Sequence, residues 1–108
     1  MSRLPNAPLQ EFKTLLPDWD SYGADAPSEI ALNNAREFIL EADRNNLEIY
    51  FVAPGRGGEV MIEFKVENQK AAEVYFNPDN SSELLLYINE KCIYEGDLDI
   101  FKLNSFLL

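Results

Sequence analysis

Asp18, Asp20 and Glu29 are spaced in the order that a calcium-binding loop uses. Such a loop places oxygen ligands at positions 1, 3 and 5, a glycine at 6 and a bidentate glutamate at 12. Counted from Asp18 in the stretch LPDWDSYGADAPSE (residues 16–29), Asp20 falls at position 3, Gly23 at 6 and Glu29 at 12. The pattern then departs from the requirement. Position 5 is Tyr22, which offers no carboxylate or amide oxygen; position 8, normally apolar, is Asp25; Pro27 stands where the exiting helix should already have begun. The metal set Asp18, Asp20 and Glu29 is therefore the weaker reading, and no cofactor is expected.

The same stretch also reads as a packed connector. Trp19 and Tyr22 bring large apolar area, three residues apart, that can hold a helix–helix connection against a sheet edge. Gly23 permits a positive φ, and the Asp20 side chain can accept from backbone N–H groups of the turn. Alternatively Trp19, Tyr22 and the aspartates form a protruding recognition loop, because binding hot spots favour Trp and Tyr.

Other chemistries are narrowed by what the chain lacks. It has no histidine, which removes Ser-His-Asp and Cys-His nucleophile systems and histidine metal sites. The lone Cys92 builds neither a disulfide framework nor a cysteine-rich metal site; it lies in an alternating stretch, where a packed or half-buried thiol is expected. Gly55, Gly57 and Gly58 lack the Gly-Lys-Ser/Thr ending of a phosphate loop, so the run reads as a hairpin with Arg56 at its exposed tip. Glycosidase-type carboxylate pairs need no histidine, but 19 acidic residues make accidental pairs common. An enzyme is not expected.

The chain of 108 residues fits one domain, residues 1–108, with one core. Its 46% hydrophobic and 12% aromatic composition is that of a folded protein. No apolar run nears the ~20 residues of a membrane span, and MSRLPNAPLQEF lacks the apolar core of a signal peptide, so a cytoplasmic location is expected. Against 19 acidic residues stand nine basic ones, scattered singly, for a net charge of −10. Direct nucleic-acid binding and binding to anionic membranes need clustered Lys and Arg and are not expected. A basic protein partner fits the charge better.

Periodicity supplies the elements that position these groups. Leu9, Phe12, Leu15 and Leu16 form a helical stripe in PLQEFKTLL, ended by Pro17. A longer helix runs from about Ser28, its N-cap, to Arg44, burying Ala31, Ala35, Phe38, Ile39 and Ala42. Beyond Leu47 the period becomes two. LEIYFVAP, EVMIEFKVE, AAEVYF, ELLLYIN and CIYEG are strand candidates separated by short turns, and LDIFKLNSFLL is a final helix with Leu98, Phe101, Leu103 and Phe106 available for docking. Short turns make an antiparallel meander. The expected fold is α+β: two N-terminal helices on one face of a four- to five-stranded meander, with a short C-terminal helix.

Alternation puts Val60, Ile62, Phe64, Ala72, Val74, Phe76, Leu84 and Leu86 on a core face. The opposite face carries Met61, Glu63, Glu73, Tyr75, Leu85 and Tyr87, more apolar than a fully solvated face needs. Either the C-terminal segment covers it, or it is an amphipathic partner surface rimmed by acidic residues such as Glu95.

WDSYGADAPS resembles a motif of a family of small uncharacterised bacterial proteins, whose pattern runs Trp-Asp-Gly-Tyr-Gly-Ala, a Pro-Ser helix start, an alanine-containing helix and a Gly-rich turn before a Glu-Trp strand. The matching residues are Trp19, Asp20, Tyr22, Gly23, Ala24, Pro27 and Ser28, then Ala35, Gly57, Gly58, Glu63 and Phe64. Ser21 replaces the usual glycine and Phe64 a common tryptophan. The resemblance spans residues 16–66, about half the chain; it implies a bacterial, cyanobacterial or phage source and no activity.

The expected function is that of a small acidic, non-enzymatic protein-binding module: an antitoxin, immunity protein or phage-type inhibitor occupying a basic site on its partner, with Met61, Glu63, Glu73, Tyr75, Leu85, Tyr87 and Glu95 as the contact set. The alternatives are a metal- or ligand-binding module centred on residues 18–29 and a homodimer joined through the sheet face.

Overall fold

Residues 7–108 are described in a computed structural model; the stretch Met1 to Asn6, part of the N-terminus read above for a signal peptide, lies outside them. The element order is α1 (Ala7–Phe12), α2 (Glu29–Arg44), β1 (Phe51–Pro54), β2 (Val60–Val66), β3 (Lys70–Phe76), β4 (Ser82–Ile88), β5 (Lys91–Asp97) and α3 (Ile100–Leu107). The five strands form one antiparallel sheet in the order β1-β2-β3-β4-β5. This is the expected α+β meander with a C-terminal helix.

Both ends of α2 follow from its caps. Ser28 Oγ accepts from the N–H of Ala31. At the other end Asn46 takes φ +59, and the N–H groups of Asn46 and Leu47 donate to Asp43 O and Ala42 O. That 5→2 and 6→1 pair is a Schellman motif, which satisfies carbonyls the helix would otherwise leave open. It also explains why β1 is shorter than the expected LEIYFVAP. Leu47 belongs to the helix cap, and pairing with β2 runs only from Phe51 to Pro54, after a single bond from Tyr50 N to Glu63 O.

The first helix is likewise shorter than PLQEFKTLL. It ends at Phe12, and the Thr14 hydroxyl and N–H both bond Glu11 O. A hydroxyl competing for that carbonyl, followed by a residue that precedes proline, opposes continuation. Leu16 is consequently 72% exposed instead of joining the stripe.

One cluster of buried side chains unites Leu9, the α2 stripe, the inner positions of β2, β3 and β4, and Leu103 of α3. Phe38 of α2 packs at 6.0 Å and 78° from Phe64 and at 5.4 Å from Phe76. Edge-to-face contacts of this kind add to simple burial. The α3 helix starts at Asp99, whose side chain accepts from Lys102 N. Lys70 Nζ donates to Phe106 O and lies over the Phe106 ring, and Lys102 Nζ lies 4.6 Å over the Tyr94 ring. Lys70 shares the register row of Ile88 and Val66, and Tyr94 that of Leu86. The C-terminal segment therefore sits on the core face, leaving the opposite face uncovered by it. Within α3 the expected docking residue Phe101 is instead 84% exposed, while Leu103 is wholly buried.

Candidate functional site

The register assembles the outer face row by row. In the central row Phe51, Glu63, Glu73, Leu85 and Glu95 stand side by side on β1 to β5. The row on one side holds Ala53, Met61, Tyr75, Glu83 and Asp97, and the row on the other holds Lys65, Ala71, Tyr87 and Cys92. All seven residues of the expected contact set, Met61, Glu63, Glu73, Tyr75, Leu85, Tyr87 and Glu95, thus share one face. Period-two alternation and antiparallel pairing suffice to bring them together.

Glu73 is the hub. Its Oε1 accepts from Tyr75 Oη at 3.0 Å and from Tyr87 Oη at 3.1 Å. Burial, assisted by the Glu73 carboxylate, raises the Tyr75 phenol far above its ordinary range, and the same causes push Tyr87 up to about 12. Both phenols stay neutral donors, and they fix the Glu73 carboxylate in place. Beside it Glu63 is directly opposite across the strand pair. Like charges so placed repel. Among the described residues the ion pairs are Arg44–Glu41 and Arg56–Asp20, so neither Glu63 nor Glu73 has one. An open groove of about 540 Å³ runs over Ala71 between Glu63, Glu73, Tyr87 and Glu90, and Lys65 and Lys70 also line it, their ammonium groups placed over the Tyr50 ring and at Phe106 O. Cys92, expected to be packed or half-buried, is exposed: it lies on the edge strand β5, on the outer face opposite Tyr87. Sequence reasoning missed Phe51, which is 52% exposed in the central row. Its alternation within LEIYFVAP could have revealed it had the strand start been known.

The stretch 16–29 is organised differently. Asp20 Oδ1 accepts from the N–H of Tyr22 and of Ala24, and Oδ2 from Arg56 Nε at 2.7 Å. Arg56 Nη2 also donates to Tyr22 O. Although desolvation opposes it, these bonds hold the Asp20 carboxyl below its usual range. Asp18 Oδ1 accepts from Gly23 N, and Trp19 Nε1 donates to Asp25 O. The strap is tied to the β1–β2 loop by Asp25 N to Arg56 O and Ser28 N to Gly58 O. Arg56 is exposed in the β1–β2 hairpin loop, as expected, and it also clamps the strap. The expectation that Tyr22 packs against the sheet edge is overturned, because Tyr22 is 82% exposed and only its backbone serves the turn. The oxygens of Asp18 and Asp20 are directed to backbone donors and a guanidinium. Among the described residues no three His, Cys, Asp or Glu side chains are grouped to hold an ion, so Asp18, Asp20 and Glu29 do not form a ligand set.

No family model, curated protein or solved structure matches this chain.

Proposed function

We propose that the protein is a small non-enzymatic binding module whose outer sheet face docks on a basic site of another protein. The observation that supports this reading is a sheet face left bare by the C-terminal helix, yet composed of Tyr75, Tyr87, Met61, Leu85 and Phe51 among Glu63, Glu73, Glu83, Glu95 and Asp97. Interface cores favour aromatic residues and Met, and opposed potentials steer encounter. In this reading α1 and α2 back the opposite face of the sheet and serve as scaffold. The module acts in the cytoplasm of a bacterium, in the manner of an antitoxin, immunity protein or phage inhibitor, with Glu63, Glu73 and Glu95 standing in for an anionic substrate. A homodimer through this face is disfavoured, because stacking two copies would set each row of carboxylates against another, with Lys65 the one lysine among the described residues in those rows to offset them.

The test compares immobilised wild type with the charge-reversed pair Glu63→Lys/Glu95→Lys and with a helix control, Glu37→Lys/Glu41→Lys, against host lysate. A protein retained by wild type and the control, lost from the outer-face variant and released by high salt agrees with the proposal. Equal retention by all three would refute it.

A further inference from the structure

Resting on that reading, we infer that the partner anchors on this face through an arginine, whose guanidinium lies between Glu63 and Glu73 and against the Tyr87 ring. The sheet face that α3 leaves bare suits a partner of opposite charge. Glu63 and Glu73 face each other on neighbouring strands, with Cβ atoms expected ~4.5–5.5 Å apart. Among the described residues Lys65 is the cation in the register rows of their face, and its ammonium lies 4.5 Å over the Tyr50 ring. The repelling pair therefore has no ion-pair partner among the described residues. Glu73 uses one oxygen for both tyrosines, which locks its position and leaves the other oxygen without a side-chain donor among the described residues.

The groove beside the pair has room for a visitor because Ala71 is short: its volume is about 540 Å³, within the ~300–1,000 Å³ of ordinary ligand sites. Arginine suits this site better than lysine. Its planar fork can bond two neighbouring carboxylates, and its face stacks on an aromatic ring, whereas an ammonium is a hydrated point charge. Met61, Leu85 and Phe51 around the acidic pair provide apolar contact for the surface that carries the arginine, which points to a protein and not to a free small cation.

The probes are nona-arginine and nona-lysine, titrated by calorimetry at low salt, with amide NMR shifts reporting location. The expected result is at least about fivefold tighter binding of nona-arginine, with the largest shifts at Ala71 and Glu73. Glu63→Gln and Glu73→Gln should each weaken it by about tenfold and remove the preference. Glu41→Gln, on α2, should leave it unchanged. Gln at 73 can still accept the phenol bonds, so folding is preserved. Equal affinity for the two peptides, with loss in both outer-face variants, would overturn the arginine anchor and leave the basic-docking reading standing. Binding that ignores both outer-face variants would overturn the two together. Binding of neither peptide would overturn the arginine anchor, and the lysate comparison would then judge the docking reading alone.

Discussion

Replacing Leu103 by alanine tests the arrangement on which the uncovered face depends. Leu103 is the one wholly buried residue of α3 and sits in the same cluster as Ile62 and Phe64. A helix of eight residues does not persist on its own, so α3 is held by what it docks. Buried Leu→Ala changes cost ~2–5 kcal/mol, and a middle value of about 3 kcal/mol suits a site near the chain end, where the helix can partly settle into the space. With a urea m-value of ~1.5 kcal/mol/M, the midpoint should fall by about 2 M. Phe101 on the same helix is 84% exposed, so Phe101→Ala should change stability by no more than about 0.5 kcal/mol. Urea unfolding followed by far-UV circular dichroism and by Trp19 fluorescence measures both variants. A loss below ~1 kcal/mol for Leu103→Ala, or a larger loss for Phe101→Ala, would mean that α3 presents its other side to the sheet, and the case for a bare outer face would go with it.

The tyrosines give a pH prediction. Both phenols are raised above the ordinary value near 10, so the unfolded chain loses its protons first; stability should be level below pH 10 and decline as pH rises toward 12. Glu73→Gln should lower both midpoints in an absorbance titration near 295 nm, and unchanged midpoints would break the link to Glu73. Gly58→Ala should cost about 2 kcal/mol in thermal unfolding, because φ is +86 and an added Cβ would lie 3.2 Å from Ala26 O. Ser21→Gly should be neutral or stabilising by about 0.5 kcal/mol, since Ser21 holds φ +64, where glycine has no steric cost. Calcium up to millimolar concentration should leave Trp19 fluorescence unchanged, as Asp18 and Asp20 are engaged by Gly23 N, Tyr22 N, Ala24 N and Arg56; a saturable change would return the stretch to the metal reading.

What the sequence made legible was the part governed by short-range rules. Val60, Ile62 and Phe64 alternate with Met61, Glu63 and Lys65, and pairing across tight turns then carries Glu73, Tyr75, Leu85 and Tyr87 to the same face without any long-range information. Asn89 and Glu90, both at positive φ, close the last hairpin in two residues, a geometry fixed locally. Contacts between distant segments were not legible. Nothing near Arg56 announces that it bonds Asp20, 36 positions earlier. The choice of face for α3 rests on Lys70 and Tyr94 meeting Phe106 and Lys102, contacts that no periodicity encodes. The true ends of α1 and β1 were set by a threonine hydroxyl and a helix cap, both of which override the apolar pattern.

The charge pattern also bears on pairing between copies. The strand β5 is an open edge, and such edges invite pairing between copies. Here a register irregularity opposite Leu86 and Tyr87 interrupts the ladder, and Lys91, Glu95 and Asp97 place charges along it. Bulges and charges are the devices that blunt an edge. The outer face repels its own copy through its carboxylates, while Phe51, Tyr75 and Tyr87 remain available to a surface of the opposite sign. A face meant only for water would need neither the tyrosines locked on Glu73 nor a second carboxylate set directly against it. Polar side chains of mixed sign would be cheaper in repulsion and in exposed apolar area. The Glu63–Glu73 pair, without an ion-pair partner among the described residues, is the feature of this face on which the proposed docking rests.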